Sequence, residues 1–384
     1  MEIYREERSV VLRYARQLRG ADPKVLRRVS LREGARLVRL PPRGGVEIDV
    51  LDLSTLSTTG TFKDWVACVA VAASVARGHD AILAQSSGNT ANALARYASN
   101  AGIRCVILYP PTSRRRLYPQ LADVPGVDFV EVDAPEHEIK QILRDYSRRS
   151  GIPAIPALPD QYEGNKLRAY FLSDASDRLG CNWDWHVQAL SSAFGPFGFY
   201  RGMQEIQRIR HSAMPTPRFL GIQQEAVIPY ARAVAGASAE PAARMIEPTL
   251  FRQVLTPELI DEMRGICATS GGTVRHLTNR RYLDLEQSAI AVLAAAGVAI
   301  TLDGNGEPRE RAGLYSLAGA IDAIDHALIK PGERVLVVHT GGSGPAVATT
   351  FEPNHVASQR DAPAVIASAL AAQREVLDAA AMTA

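Results

Sequence analysis

With 384 residues, 46% of them hydrophobic and 22% charged, the chain is long enough for two subdomains around one cleft and has the balance of an ordinary globular protein. Its 43 basic and 41 acidic residues leave a formal net charge of +2, which argues against a nucleic-acid partner held by bulk electrostatics. No stretch approaches the ~20 apolar residues that span a bilayer, and the first twenty residues are charged throughout with no apolar signal region, so no membrane partner and a cytoplasmic location are expected.

Short β-rich runs alternate with longer helical patterns, which predicts an α/β fold with a mostly parallel sheet covered by helices. The first strand is predicted over 46–53 and is followed by Thr58-Thr59-Gly60-Thr61-Phe62-Lys63-Asp64. A helix over 64–76 comes next, and its WVACVAVAASV stretch must be buried. A strand over 81–85 runs into Ser86-Ser87-Gly88-Asn89-Thr90 and a helix over 91–101. Strands over 104–109 and 128–132 flank the triplet Arg114-Arg115-Arg116, and a helix over 136–149 follows. Ser191-Ser192-Ala193-Phe194-Gly195-Pro196-Phe197-Gly198 leads into a helix over 198–210. Pro215 and Pro217 precede a strand over 219–223 and mark a return from one subdomain to the other. Helices over 285–295 and 312–327 precede the strand over 334–339, which ends at Thr340-Gly341-Gly342. The alanine-rich tail reads as a surface helix.

Lys63 is the most informative residue. A lysine normally titrates near ~10.4, and burial lowers that value. On a turn that enters a buried helix it is suited to act as a neutral amine and attack an aldehyde. The bland alternative packs its stem on the helix and leaves its head in water. Asp64 fits a partner for the helix dipole. Ser86 to Thr90 put hydroxyls, a glycine and an amide at a helix N-terminus, where successive N–H groups can hold a carboxylate; the same residues also serve as a plain N-cap. Thr340 ends an apolar strand at the carboxyl edge, where open α/β sheets bind ligands. His339 beside it reads as a packed residue. The arginine triplet is either a solvated charge run or, at a strand end, an anion contact. Cys68, Cys105, Cys181 and Cys267 are scattered and read as reduced thiols, with no disulfide framework or metal site.

Six segments occur in one order: Val29-Ser30-Leu31-Arg32-Glu33-Gly34 with Leu37-Val38-Arg39-Leu40-Pro41, then Thr59-Gly60-Thr61-Phe62-Lys63-Asp64, Ser86-Ser87-Gly88-Asn89-Thr90-Ala91, Glu163-Gly164-Asn165-Lys166, Gly221-Ile222-Gln223-Gln224-Glu225 and Thr340-Gly341-Gly342. Over roughly residues 28–346 the chain thereby resembles the pyridoxal phosphate (PLP) enzymes of the tryptophan-synthase-β type, fold type II, and among them the threonine synthases. The resemblance implies two open, mostly parallel twisted sheets flanked by helices, with the active-site cleft between two domains. A large PLP-binding domain is expected over 1–84 and 190–350, a small substrate-binding domain over 85–189, and a helical tail over 351–384.

The resemblance also assigns roles. Lys63 would form the Schiff base with PLP and later take the Cα proton, with Phe62 beside the pyridine ring. Ser86, Ser87, Gly88, Asn89 and Thr90 would hold the substrate carboxylate, Asn89 also reaching the ring's phenolic oxygen. Ser191, Ser192, Ala193, Phe194 and Gly195 would form the phosphate cup, although the family pattern there, GNGGN or GNFGD, has lost most of its glycines. Thr340 would face the pyridine nitrogen, and Arg114 or Arg116 an anionic leaving group. An acidic residue in a VEPASAAS-like segment is replaced by a longer stretch, which leaves Thr301, Glu307 or Glu310 for its place. The implied activity is elimination or replacement at the β or γ carbon of an L-amino acid, in the manner of threonine synthase. Alternatives are β-replacement of the cysteine- or cysteate-synthase kind, a serine or threonine dehydratase, and a PLP-fold binding protein without turnover. A homodimer is expected on the same ground.

Overall fold

The computed structural model describes all residues except 87, 211–213, 239–242, 346–349 and 384. The strands, in chain order, are β1 (Glu2–Glu6), β2 (Ala35–Arg39), β3 (Glu47–Asp52), β4 (Ala81–Gln85), β5 (Arg104–Tyr109) and β6 (Val127–Asp133). They continue as β7 (Trp185–Ala189), β8 (Arg218–Gln224), β9 (Thr273–Leu277), β10 (Arg334–His339) and β11 (His355–Ser358). The helices begin with α1 (Val10–Arg13), α2 (Pro23–Val29), α3 (Lys63–Ala76), α4 (Asn89–Ala101), α5 (Glu136–Ser150) and α6 (Leu158–Leu179). They end with α7 (Phe194–Arg210), α8 (Pro229–Ala235), α9 (Pro257–Ser270), α10 (Asn279–Ala295), α11 (Ala312–Asp325) and α12 (Ala362–Thr383).

The chain divides into two compact units. The first comprises Met1–Val10, Gly34–Phe62 and Asn165–Gly344. Its sheet has the order β1-β2-β3-β10-β7-β8-β9. The pairs from β3 through β9 are parallel, and β1 and β2 add an antiparallel edge. Alternating apolar residues such as Val50, Val187, Ile222 and Val337 meet Leu285, Leu293, Leu317 and Ile321 of α10 and α11. Full burial of each such side chain contributes about 1.5–3 kcal/mol. Tyr282 and Tyr315 stack between those two helices, with ring centroids 3.8 Å apart.

The second unit comprises Val11–Glu33, Lys63–Gly164 and Pro345–Ala384. Its all-parallel sheet runs β11-β6-β5-β4. Leu83, Val106, Leu108 and Val130 pack there with Ile139 and Leu143 of α5 and Ile366 and Leu370 of α12. Two of the breaks fall at Phe62/Lys63 and Gly164/Asn165, where the resemblance implied 84/85 and 189/190. The reason is packing: α3, buried on nearly every face, lies against α2 and α4 of the second unit. The tail is more than a surface helix, because β11 pairs with β6 and α12 covers β5 and β6. No helix among the described residues is long and apolar enough to cross a membrane, and the described residues hold no cluster of three or more His, Cys, Asp or Glu suited to a metal ion.

Candidate active site

In the first unit, β3 and β10 run in parallel with Asp52 opposite His339, and the segments that follow both strands stay together. The Leu53 N–H donates to the His339 carbonyl (3.1 Å) and the Phe62 N–H to the Thr340 carbonyl (2.9 Å). Thr61 bridges to Gly341 in the antiparallel sense. The lysine motif is therefore clamped by its backbone onto the threonine-glycine turn. Gly60 makes the clamp possible: its φ is +73°, and a Cβ there would overlap the backbone of Gly344. Asp52 fixes the start of the crossing by accepting from the Ser54 N–H (3.0 Å), the Ser54 hydroxyl (2.9 Å) and Arg36 Nε (3.0 Å).

Thr340 is buried at the end of β10. Of the three candidates for an acidic neighbour, Glu310 lies at this turn, because a Cβ on Gly341 would overlap its carboxylate. Thr301 instead buttresses the loop: its N–H donates to the Gly342 carbonyl at 2.6 Å and its hydroxyl to that of Gly344. Glu307 is exposed and pairs with Arg311. His339 is fully enclosed, burial holds its imidazole below the ordinary value with Asp52 pulling the other way, and a Cβ on Gly313 would strike its ring. It is a packed residue.

The link from β7 to α7 passes through Ser191, Ser192 and Ala193. Ala193 adopts φ +63°, a left-handed conformation that costs a residue with a Cβ about 1–2 kcal/mol. The turn geometry suited to glycine has thus survived the loss of glycine itself. Phe194 and Gly195 open α7, and Pro196 sits within its first turn, where a missing N–H breaks no helical hydrogen bond. Lys166 of α6 is committed to an ion pair with Glu205 of α7 (2.8 Å), which Tyr170 also reaches (2.7 Å). This pair ties the two helices together.

Arg168, which sequence reasoning passed over, is fully buried beside this turn. Its Nη1 donates to Gln188 Oε1 at 2.7 Å, and its guanidinium lies 4.6 Å from the centre of the Phe62 ring. A Cβ on Gly195 would come within 2.7 Å of Nη1 and 3.2 Å of Nη2. Nε and Nη2 have no hydrogen-bond partner among the described residues. Burial alone lowers its pKa, to about 9, and no carboxylate counteracts it. A cation at a helix N-terminus with no compensating acid is costly unless an anion accompanies it.

In the second unit, Lys63 is the first residue of α3 and is half-buried. Gly88 caps α4, and Asn89 and Thr90 form its first turn, both half-buried. The Ser86 hydroxyl accepts from the Ala91 N–H (3.2 Å), so Ser86 acts as a helix cap; Ser87 lies outside the described residues. Asn92 binds this turn to the arginine triplet, donating to the Arg116 carbonyl (2.9 Å) and accepting from the Tyr118 N–H (3.1 Å). The Arg116 side chain runs beside Gly88, 3.7 Å from where a Cβ would stand. Arg114 points elsewhere, to an ion pair with Glu131 of β6 in which Nη2 meets Oε1 at 2.8 Å. Of the triplet, Arg116 is the arginine that the structure brings beside Gly88 at the start of α4.

These residues fit a phosphorylated pyridoxal: an orphaned buried guanidinium and a helix N-terminus suit the phosphate, and the hydroxyl of Thr340 suits a ring nitrogen. A family model described as "Pyridoxal-phosphate dependent enzyme" matches residues 35–341. The chain belongs to the pyridoxal-phosphate-dependent enzyme family. It is similar to the threonine synthase of Mycobacterium bovis, 26% identical over 299 residues that cover 76% of this chain and 75% of that one. The threonine synthase of Methanosarcina acetivorans is 24% identical over 348 residues, 89% of this chain and 81% of that one. Among solved structures, a threonine deaminase from T.th. superposes with a TM-score of 0.60 at 16% identity, covering 90% of this chain and 97% of that one. The PLP-bound threonine synthase from Brucella melitensis gives 0.60 at 12% identity, covering 86% and 80%. The fold is therefore type II of the PLP-dependent enzymes, and PLP is the cofactor.

For this PLP-dependent enzyme, Asn89→Ala is expected to slow substrate turnover by about 10–100-fold, the loss of one hydrogen bond to a charged group, while the cofactor stays bound. Steady-state kinetics beside cofactor absorbance check this. Unchanged kinetics would leave the loop as a helix cap only.

Proposed function

We propose that the protein catalyses elimination or replacement at the β or γ carbon of an L-amino acid that carries an anionic leaving group, in the manner of threonine synthase. The observation that carries the reading is the backbone clamp between Thr61-Phe62 and Thr340-Gly341, which holds the residue before Lys63 against the threonine at the sheet edge. When bound, PLP supplies an electron sink for the bonds at Cα. Lys63 would hold the cofactor through its aldehyde carbon, and its amine would take and return the Cα proton. Thr340 offers a hydroxyl, not a carboxylate, to the ring nitrogen, with Phe62 beside the ring. Ser191 to Gly195 receive the phosphate. Asn89, Gly88 and Thr90 orient the substrate carboxylate, and Arg116 faces the leaving group. In the synthase reaction on O-phosphohomoserine, water adds and inorganic phosphate leaves.

A second reading, a serine or threonine dehydratase, is favoured by one observation: Arg114 is engaged with Glu131, so fewer cations remain for a phosphate. The two readings separate in a substrate comparison. Release of inorganic phosphate from O-phosphohomoserine or O-phosphoserine, with kcat/KM at least about tenfold above that for free serine or threonine, is expected, since a charge-assisted contact is worth about twice a neutral one. Preference for the free amino acid, with ammonia and a keto acid as products, would replace the synthase reading by the dehydratase.

A further inference from the structure

Arg168 is a cation placed where ordinary stability gives no reason for one. It is fully buried, its one hydrogen bond runs from Nη1 to the neutral Gln188, and burial is the sole influence that moves its pKa. A guanidinium stays protonated at neutral pH, so the charge is present. Gln188 and the Phe62 ring fix the orientation of the plane. What remains without a partner is the Nε–Nη2 edge. Those two N–H groups lie parallel on one side of the guanidinium, spaced to grip two oxygens of a single carboxylate or phosphate.

The neighbouring turn has a complementary shortage. Pro196 brings no N–H to the first turn of α7. One of the donors that a helix N-terminus normally offers an anion is therefore missing. Gly195 bears directly on the answer, because any side chain there would collide with Gln188 and Arg168. The glycine keeps the guanidinium in contact with the helix start.

We propose that Arg168 is a phosphate-binding residue whose Nε–Nη2 edge forks two oxygens of the cofactor's phosphate at the N-terminus of α7, supplying by side-chain charge what the turn lacks in backbone donors. The proposal rests on the reading of the chain as a PLP binder, and extends it to a residue outside the recognised motifs. It also gives Phe62 a second task. Packed on the guanidinium, Phe62 links the phosphate end of the site to Lys63, the next residue of the chain.

The test compares pyridoxal 5'-phosphate with pyridoxal, which has the same aldehyde and no phosphate, on the apoprotein and its Arg168→Gln and Arg168→Lys variants. Binding is read from absorbance of the lysine-bound chromophore. Arg168→Gln is expected to weaken pyridoxal 5'-phosphate by roughly ten- to a hundredfold and pyridoxal by no more than about twofold, with Arg168→Lys between. Equal weakening of both aldehydes, or of neither, overturns the proposal in favour of a packing role. Should the glutamine variant fail to fold, thermal melting of wild-type and Arg168→Lys apoprotein in inorganic phosphate against chloride at equal ionic strength decides. A higher wild-type melting temperature in phosphate, reduced in the lysine variant, supports the proposal, and no difference overturns it. A wild-type chain that takes up neither aldehyde contradicts the PLP reading itself, and the phosphate melting then judges Arg168 alone.

Discussion

Lys63→Ala is expected to abolish covalent cofactor attachment and to lower turnover by about 10²–10⁴-fold or more, the range for losing a positioned acid–base group. The effect should be chemical and not structural. Lys63 is the first residue of α3, alanine is the most favourable helix residue, and the clamp that positions this point of the chain uses the backbone of Thr61 and Phe62. The melting temperature of the apoprotein should therefore stay close to that of the wild type while the visible absorbance of the lysine-bound cofactor disappears. A Lys63→Ala protein that still binds the cofactor covalently would move the assignment to another lysine. Lys166 is a poor substitute, because Glu205 holds its ammonium at 2.8 Å in the first unit.

The second large effect is expected from Gly60→Ala. The residue sits at φ +73°, and a Cβ would lie only 2.2 Å from the Gly344 backbone nitrogen. Left-handed conformation costs alanine about 1–2 kcal/mol, and forced displacement of packed backbone adds about 1–3 kcal/mol. A total of about 2–5 kcal/mol should appear as a lower denaturation midpoint. Cofactor affinity should fall with it, because relief of the clash requires Thr61 and Phe62 to leave Thr340 and Gly341. Gly60→Ala with unchanged stability and affinity would show that the segment is not locked against β10.

Much of this site was legible in the sequence because its motifs sit at strand ends and helix starts, where local chemistry dictates the residue type. The strands 81–85, 104–109 and 334–339 and the helices after Lys63 and Asn89 lie where apolar patterning puts them. β7 escaped notice because WHVQA is only five residues long, and its alternation with His186 and Gln188 fits a half-exposed strand, whereas all five residues are buried. α6 was hidden for a related reason. Asn165, Lys166, Arg168, Ser173 and Ser176 are all buried on it, and partners from distant segments such as Glu205 and Gln188 hold some of them. Arg168 belongs to that group, and only tertiary packing reveals its lack of a counter-charge. The acidic neighbour of Thr340 could not be chosen by counting along an altered loop. Glu310 emerges from its closeness to Gly341. The arginine triplet likewise needed the fold, since Glu131 on the next strand engages Arg114 and leaves Arg116 beside Gly88.

Borohydride reduction of the cofactor-loaded protein, followed by digestion and mass mapping, locates the lysine that carries the cofactor. One modified peptide is expected, with the pyridoxyl group on Lys63. A modification on any other lysine, or none in a protein that has bound the cofactor, would rule Lys63 out as the attachment site.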